Sequence, residues 1–245
     1  MAFIRSVTCV LILLIFAFCA SIINFFILPI AKIFYKKNDY MFFASDLIHF
    51  MWGKVLLNLI KGTGLIKLQI KNLDEIKSIK NKIIVATHPS FIDIVILIGL
   101  IPRTTCFVKS ALSKNFLLSN IINSIFIPDD VDIEELKNKS KDMLDLGFNV
   151  VIFPSGIRHR KNEHPKLKKG ASLIALNAHK NISPIKLYSD GEFMFIHKPI
   201  YDVDKSTVIF HLEKLDDINI DNYLGLNDIL SKKELTKEIS KSLYN

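Results

Sequence analysis

Cysteine is scarce in this sequence, and the few cysteines stand far apart. The 245 residues contain three, Cys9, Cys19 and Cys106, and two of these fall within a single apolar stretch. Such a number and spacing argue against a disulfide framework and against a cysteine-based metal site. We therefore expect the body of the protein to face a reducing compartment, the cytosol.

Charge is absent from the beginning of the chain. No Asp, Glu, Lys or Arg occurs from Ser6 to Ala31, and about 20 apolar residues suffice to cross a bilayer. We assign residues 1–38 to a membrane anchor that either spans the membrane once or re-enters it, with Asn24 and Pro29 as the positions for a break. A cleaved signal peptide fits less well, because bulky side chains interrupt the small-residue motif of a cleavage site.

The charges that flank this run indicate its orientation. Arg5 precedes it, and Lys32, Lys36 and Lys37 follow it. Because loops rich in Lys and Arg stay in the cytoplasm, we expect the rest of the chain on the cytoplasmic face of the cell inner membrane, held by a single-pass or monotopic segment. Residues 39–63 predict an amphipathic helix at the membrane interface; an ordinary helix packed on the domain is the alternative.

The whole chain is both basic and apolar. It has a net charge of +8, 50% hydrophobic residues and a mean hydropathy of +0.31. These values favour anionic lipid surfaces or phosphate-bearing substrates as partners. Nucleic acid is the rival explanation of the charge, but the sequence has neither zinc-finger spacing nor a basic region with heptads. We therefore expect membrane lipids as partners and no nucleic acid.

After a KGTG turn, the hydrophobic pattern alternates between strands and helices. This alternation predicts an α/β fold with a single mixed, largely parallel sheet flanked by helices. No internal repeat or low-complexity linker interrupts it, so residues 64–245 are predicted to form one domain. The predicted strands are 65–70, 83–86, 105–108, 125–127, 149–153, 183–187, 193–196 and 208–212. The predicted helices are 91–100, 115–123, 132–146, 167–179 and 227–243.

Three histidines precede an aspartate by five positions. These pairs are His88/Asp93, His197/Asp202 and His211/Asp216. Only His88 directly follows an apolar strand, IIVA, and sites in open α/β sheets form at the carboxyl ends of strands. We place Pro89 and Ser90 at the first positions of the next helix and Asp93 in its first turn, able to fold back on His88. The other two histidines are predicted to be structural or exposed.

A histidine beside a carboxylate has the chemistry of a general base. Imidazole accepts a proton near neutral pH, and a carboxylate on its second nitrogen fixes the tautomer and stabilises the imidazolium. His88 with Asp93 would therefore be able to deprotonate a hydroxyl group bound beside it. In the alternative interpretation, Asp93 only favours the helix dipole and His88 only caps the helix.

A second segment, residues 153–170, follows the apolar strand VVIF. Its sequence, FPSGIRHRKNEHPKLKKG, carries the densest positive run in the chain. A strand that leads into Pro-Ser-Gly can present backbone donors and Arg158 to an oxyanion or a phosphate, and a solvated loop is the alternative. Because His159, Glu163 and His164 do not have the spacing of a zinc protease helix, we expect no metal.

Together these segments resemble the PlsC-like glycerolipid acyltransferases, the family of the lysophosphatidate acyltransferases. The segment HPSFID, residues 88–93, is similar to the family's first block, and FPSGIR, residues 153–158, is similar to its third. Lys109 in FVKSAL matches a lysine ahead of the second block, and SPI at 183–185 looks like the fourth. Four blocks in this order make the resemblance specific.

The resemblance implies that residues 64–245 are a membrane-bound acyltransferase domain, which moves a fatty acyl group from acyl carrier protein or coenzyme A to a lipid hydroxyl. His88 would be the general base and Asp93 its orienting partner. The thioester is then a co-substrate, neither a cofactor nor a metal is implied, and the oligomeric state stays open. The residues implied in substrate binding are Ser90, Lys109, Pro154, Ser155, Gly156 and Arg158.

Several positions depart from the family pattern. Thr87 stands where the first block has Asn, Ser155 and Ile157 replace Glu and Thr of the third block, and Asp129 stands where the second block has a basic residue. We expect the acyl-transfer machinery to be retained with a different acceptor site. The alternative is a catalytically altered or silent lipid-binding member of the same fold. The runs LKKGASLIALNA and CFVKSALSKNF resemble the branch associated with aryl-polyene lipid pathways.

Overall fold

A computed structural model describes residues 2–195, 199, 201–225 and 227–245. The chain begins with a helix that is continuous from Phe3 to Phe34, called the N-terminal helix below, and its 32 residues are long and apolar enough to cross a membrane. Neither Asn24 nor Pro29 breaks this helix. Its parts are α1 (Ala2–Ile22), a π-helical turn (Ile23–Ile27) and α2 (Leu28–Phe34).

The π-helical turn explains why the proline is tolerated. Leu28 donates its N–H to the carbonyl of Ile23, a separation of five residues instead of four. In this register the carbonyl of Asn24 would pair with residue 29, and proline has no N–H to donate. The Asn120 side chain donates to that carbonyl instead, at 2.8 Å. A contact from the body of the protein therefore replaces the missing helical bond.

One face of the N-terminal helix packs on the body along its whole length. Near its start, Arg5 donates hydrogen bonds of 2.8–3.3 Å to the backbone carbonyls of Gly64, Leu65, Asp204 and Ser206. The buried residues recur at helical spacing; they are Cys9, Ile12, Ala20, Ile23, Asn24, Leu28 and Ala31. The opposite face exposes large apolar side chains, including Phe3, Leu11, Leu14, Phe18, Phe26 and Ile33.

A second long helix covers the region predicted at 39–63. It consists of α3 (Lys37–His49), a π-helical turn (Phe50–Leu56) and α4 (Leu57–Gly62). This helix lies against α6 (Asp93–Leu100) so closely that a Cβ on Gly53 would stand 2.3 Å from the carbonyl oxygen of Gly99. The helix therefore packs on the domain; contact with a membrane interface stays a prediction.

The sheet has seven strands in the order β1-β7-β6-β2-β5-β3-β4. All neighbours pair in parallel except β6 and β7, which are antiparallel. The predicted mixed, largely parallel sheet is confirmed. The strands are β1 (Ile66–Lys71), β2 (Ile83–Ala86), β3 (Thr104–Val108), β4 (Ile127–Pro128), β5 (Asn149–Ile152), β6 (Ile182–Ser189) and β7 (Val208–Lys214).

Helices cover the central strands β2 and β5, in which every residue is buried. The crossover from β2 to β3 carries α6. The return crossovers carry α9 (Ile133–Asp145) and α10 (Gly170–Ala178), so right-handed connections place α6 on one face of the sheet and α9 with α10 on the other. The remaining helices are α5 (Leu73–Lys77), α7 (Ser110–Ser113), α8 (Ser119–Ile125), α11 (Asp221–Leu224) and α12 (Asp228–Tyr244).

Several local predictions are wrong. The helix predicted at 115–123 begins only at Ser119, and the strand predicted at 125–127 overlaps β4 only at Ile127. The segment predicted as a strand at 193–196 forms only an isolated bridge, between Phe193 and Val203, and its residue 196 lies outside the described part of the chain. The helix predicted to begin near Pro89 and Ser90 begins at Asp93. The backbone before Asp93 bonds to other segments, with the Phe91 N–H on the carbonyl of Met194, so it does not enter the helix.

Candidate active site

Parallel pairing brings the two predicted segments to one edge of the sheet. His88 follows the last residues of β2, and Phe153 follows β5, its direct neighbour. The carboxyl ends of parallel strands meet at the same edge. The main chain joins the two segments there, because the N–H of His159 donates to the carbonyl of His88 at 2.9 Å.

His88 and Asp93 form a direct hydrogen bond. Nδ1 of His88 lies 2.9 Å from Oδ2 of Asp93, and the same oxygen accepts the backbone N–H of Ser90 at 2.7 Å. The carboxylate is fully buried, whereas the imidazole keeps 19% of its surface exposed. Because a carboxylate only accepts, Nδ1 carries the proton. Nε2 has no hydrogen bond among the described residues and is left as the basic nitrogen.

An aromatic ring fixes the plane of this imidazole. The ring of His88 stacks on the ring of Phe153, with centroids 4.0 Å apart and an angle of 14° between the planes. Phe153 comes from the end of β5, so the sheet sets the position of both rings. One nitrogen is held by Asp93 and one face by Phe153, which leaves the opposite edge for a substrate.

Burial dominates the ionisation of Asp93. Removal from water raises the pKa of this carboxyl to about 6, against the opposing effects of His88, the Ser90 N–H and the positive charge of Arg158. Oδ1 of the same carboxyl is buried and has no partner among the described residues. The carboxylate is therefore held in an unfavourable environment, in which a cationic imidazole would stabilise it.

The loop around His88 is held mainly from β6 and the segment after it. Thr87, which stands in place of the family's Asn, donates from Oγ1 to the carbonyl of Leu187 at 2.5 Å and accepts the Leu187 N–H at 2.7 Å. Ser90 is buried, and its hydroxyl donates to the carbonyl of Phe193. Its side chain thus holds the loop; the predicted contact of Ser90 with substrate stays a prediction.

The segment after β5 forms a tight turn. The Gly156 N–H donates to the carbonyl of Phe153 at 3.0 Å, and Gly156 has φ +67°, which favours glycine. Pro154 and Ser155 are buried, and the Ser155 hydroxyl donates to the carbonyl of Ile157 at 2.8 Å. Ser155 therefore stabilises its own turn, whereas the Ile157 side chain is exposed.

Two basic side chains border this turn. Nη1 of Arg158 donates to the carbonyl of Met194 at 3.2 Å, and its charge acts on Asp93. Lys168 lies across Gly156, since a Cβ there would stand 2.9 Å from Nζ. Lys109, at the end of β3, is exposed at the same edge but is separated from β2 by β5. Arg158 thus belongs to the immediate surroundings of the pair, and Lys109 to the rim.

The structure adds a residue that the sequence did not indicate. The hydroxyl of Tyr244, at the end of α12, lies 3.2 Å from Nε2 of His159, whose Nδ1 lies 3.2 Å from the carbonyl of Arg160. His159 is buried, and burial lowers its pKa. A neutral His159 that donates from Nδ1 accepts the tyrosine hydrogen at Nε2. His159 was weighed only as a metal ligand, and no sequence signal pointed to Tyr244.

Of the other two predicted histidine–aspartate pairs, the structure describes only that of His211. His211 pairs with Asp190 and not with Asp216, through Nε2 at 2.9 Å. His197 lies outside the described residues. Among the residues that the structure describes, no three His, Cys, Asp or Glu side chains come together as metal ligands.

Comparisons with known proteins show similarity to acyltransferases. Residues 67–188 match the family model described as Acyltransferase. A 1-acyl-sn-glycerol-3-phosphate acyltransferase from Chlamydomonas reinhardtii is 32% identical over 123 residues, which cover 47% of this chain and 36% of that protein. The crystal structure of the 1-acyl-sn-glycerophosphate (LPA) acyltransferase PlsC from Thermotoga maritima has a TM-score of 0.69 at 16% identity, with 97% of this chain and 96% of that chain covered. The latter likeness shows the fold.

Proposed function

Since the chain belongs to the PlsC-like acyltransferase family, with the matching domain at residues 67–188, we propose that it transfers a fatty acyl group from a thioester to a hydroxyl of a lysophosphatidate-like lipid. The observation that carries this proposal is the contact of His88 Nδ1 with the buried carboxylate of Asp93. It leaves Nε2 as a base at the edge of the sheet where substrates bind.

The chemistry follows from this arrangement. Nε2 of His88 removes the proton of the acceptor hydroxyl while the hydroxyl oxygen attacks the thioester carbonyl carbon. The imidazolium forms beside the Asp93 carboxylate, which stabilises it in a buried environment. The tetrahedral intermediate then collapses, the carbon–sulfur bond breaks, and the leaving thiolate takes the proton from Nε2. The products are the ester and a free thiol, and the enzyme returns to its starting state.

Arg158 supports the proposed binding of a negatively charged group. Its guanidinium acts on the charge of Asp93 and uses one nitrogen for the carbonyl of Met194, so further donors remain for a phosphate or an oxyanion. We propose the same general role for Lys109 at the rim. Acyl carrier protein and coenzyme A are both proposed donors, since the acidic carrier surface and the coenzyme phosphates each complement a basic edge.

The acceptor is proposed to differ from lysophosphatidate itself. Where the family has Glu and Thr, Ser155 is bonded within its own turn and Ile157 presents an exposed apolar side chain. Polar groups that would hold a glycerol phosphate are thus replaced by an apolar surface. An acceptor with a larger apolar part, such as an aryl-polyene lipid precursor, fits this change.

Turnover with purified full-length protein tests these proposals. Acyl carrier protein and coenzyme A thioesters are supplied with lysophosphatidate or with a lipid extract as acceptor. Acylation of any lipid that is lost in His88→Ala supports acyl transfer. Rates on lysophosphatidate that equal the rate on every other acceptor would exclude the altered acceptor site. Binding of lipid without turnover under all conditions would favour the silent lipid-binding alternative.

We further propose that the N-terminal helix lies in the membrane surface instead of crossing the bilayer. Its 32 residues extend about 48 Å, yet Arg5 near the start and Asn24 towards the end both bond to the body. A crossing helix would draw the body into the lipid. A helix lying flat places its exposed apolar face in the bilayer, with the body on the cytoplasmic face of the inner membrane.

Vesicle flotation tests this attachment. Phe18 is exposed on the free face of the N-terminal helix, and Ile229 is equally apolar and exposed on α12. We expect Phe18→Glu to weaken binding to anionic phospholipid vesicles about tenfold or more, and Ile229→Glu to leave it unchanged. Equal behaviour of the two variants would contradict attachment through the N-terminal helix.

A further inference from the structure

A short segment beside the N-terminal helix exposes two large apolar side chains. Phe116 keeps 76% of its surface exposed, and Leu117 is also exposed. Both lie between α7 and α8, in the connection that follows β3 and therefore starts at the edge of the sheet that holds His88. Two adjacent exposed hydrophobic residues are more than the isolated ones that surfaces normally carry.

Hydrogen bonds from the buried Asn24 connect this segment to the N-terminal helix. Asn24, which is fully buried in the largely apolar N-terminal helix, accepts the backbone N–H of Asn120 on Oδ1 at 2.8 Å and donates from Nδ2 to the carbonyl of Phe116 at 3.2 Å. The carbonyl of Asn24, which Pro29 leaves without a helical donor, accepts from the Asn120 side chain. The side chain and the carbonyl of Asn24 thus bond to the segment and to the first turn of α8, which follows it directly.

Aromatic contact continues the exposed surface of the helix into this segment. The ring of Phe116 packs on that of Phe25 at 4.7 Å between centroids, and the next residue of the helix, Phe26, is exposed. Lys114 stands exposed on the same segment, and Lys109 stands exposed just before α7. Apolar side chains beside lysines match the boundary between acyl chains and anionic headgroups.

We propose that residues 114–118 form a second membrane contact, latched to the N-terminal helix by Asn24, so that the edge of the sheet carrying His88 faces the lipid surface. The proposed partner is an anionic phospholipid bilayer. The inference rests on the proposed membrane attachment and adds a contact that the N-terminal helix alone does not provide. The second contact would set the orientation of the domain on the membrane. A single helix would leave the domain free to rotate about the helix axis, whereas two contacts fix its tilt.

Tryptophan quenching distinguishes this contact from the helix itself. The native Trp52 is replaced by phenylalanine, and a single tryptophan is then placed at one position, as Phe116→Trp, Phe18→Trp or Ile229→Trp. Vesicles of anionic phospholipid with brominated acyl chains quench a tryptophan that enters the acyl region. We expect strong quenching for the first two variants and none for the third, which exposes a comparable apolar residue on α12.

The outcomes separate the two proposals. Quenching at position 18 without quenching at position 116 would overturn the second contact and leave the attachment by the helix intact. Absence of quenching at both positions would overturn both. Asn24→Leu then tests the latch: quenching should fall at position 116 and persist at position 18. Unchanged quenching at both positions would show that Asn24 does not hold the segment.

An activity measurement provides a second readout. In Phe116→Ser, we expect the KM for an acceptor presented in vesicles to rise about threefold to tenfold, since the catalytic edge is less well oriented. The rate on a short-chain acceptor dissolved in water should stay within about twofold of the wild type. A loss of equal size on both acceptors would indicate a structural effect and contradict the proposed contact.

Discussion

Two histidine–aspartate pairs within the described residues have the same length and very different surroundings. His88 Nδ1 and His211 Nε2 each lie 2.9 Å from a carboxylate oxygen, of Asp93 and Asp190 respectively. Each imidazole also stacks on an aromatic ring, Phe153 in one case and Tyr188 in the other. The side chain of Asp93 is fully buried, however, whereas Asp190 keeps 49% of its side-chain surface exposed.

The difference shows that the hydrogen bond alone does not define a catalytic pair. Water screens the exposed Asp190, so its attraction for an imidazolium is weak. Asp93 acts in a buried environment where the same charge has a larger effect. The choice of nitrogen matters as well, because pairing through Nδ1 leaves Nε2, the nitrogen farther from the main chain, to reach a substrate. We therefore expect loss of function from changes at one pair and tolerance at the other.

The largest contrast is expected on removal of the imidazoles. His88→Ala should lower kcat by about 10³- to 10⁴-fold, because general base catalysis and orientation of the hydroxyl are lost together. His211→Ala should stay within about twofold of the wild type. Acyl transfer from a thioester, followed by thiol release, measures both. Comparable losses in the two variants would mean that His211 also takes part, and the comparison would fail.

Replacement of the carboxylates should separate activity from stability. Asp93→Asn removes the charge that stabilises the imidazolium and should lower kcat about 10²- to 10⁴-fold. Asp190→Asn should have little effect on kcat. An Asp93→Asn variant that keeps most of its activity would show that catalysis by His88 does not depend on the charge of Asp93.

The same variant should gain stability at neutral pH. Burial raises the pKa of Asp93 to about 6, above about 4 in an unfolded chain. Between these values the folded protein binds more protons than the unfolded one, so this group lowers the free energy of unfolding as pH rises through that window. At pH 7, Asp93→Asn should raise the free energy of unfolding by up to about 3 kcal/mol. The variant should therefore unfold at a higher denaturant concentration than the wild type. Lower stability than the wild type would contradict the burial argument.

An intermediate effect is expected at the positive charge near the catalytic pair. Arg158→Gln keeps a donor for the carbonyl of Met194 but loses the charge that acts on Asp93. We expect KM for a phosphate-bearing acceptor to rise about tenfold to a hundredfold, with a smaller change for an uncharged acceptor. Arg160, which bonds to Glu192 at the surface, provides the matched control; Arg160→Gln should change neither value by more than about twofold.

The smallest effect on activity is expected at Tyr244, which supports the His88 pair through His159. The backbone N–H of His159 donates to the carbonyl of His88, and its Nε2 lies within hydrogen-bond distance of the Tyr244 hydroxyl. Tyr244→Phe removes one hydroxyl and should lower kcat about twofold to fivefold without changing KM. His211 has no comparable link to α12 in the described part of the chain. A change in KM alone would place Tyr244 in substrate binding instead.

Much of the site was predictable because its parts are local. The apolar strand IIVA and the five-residue step from His88 to Asp93 place both side chains at one strand end, and the predicted contact forms. The helix start was misplaced because Asp93 uses its carboxylate for His88 and for the Ser90 N–H. Whether the Asp93 carboxylate contacts these two groups depends on the path of the loop before the helix, and the residue types alone do not predict that path.

The amino-acid sequence by itself determined most of the strand and helix order, the apolar N-terminal run, and the short-range step that pairs His88 with Asp93. Each depends on residues a few positions apart, whose spacing already sets which face they share. Only the tertiary structure decided the rest. It paired His211 with Asp190, set Phe153 against His88 across neighbouring strands, and laid the N-terminal helix along the body through Asn24. Such contacts depend on how distant segments pack, and packing selects among many pairings that the local pattern leaves equally open.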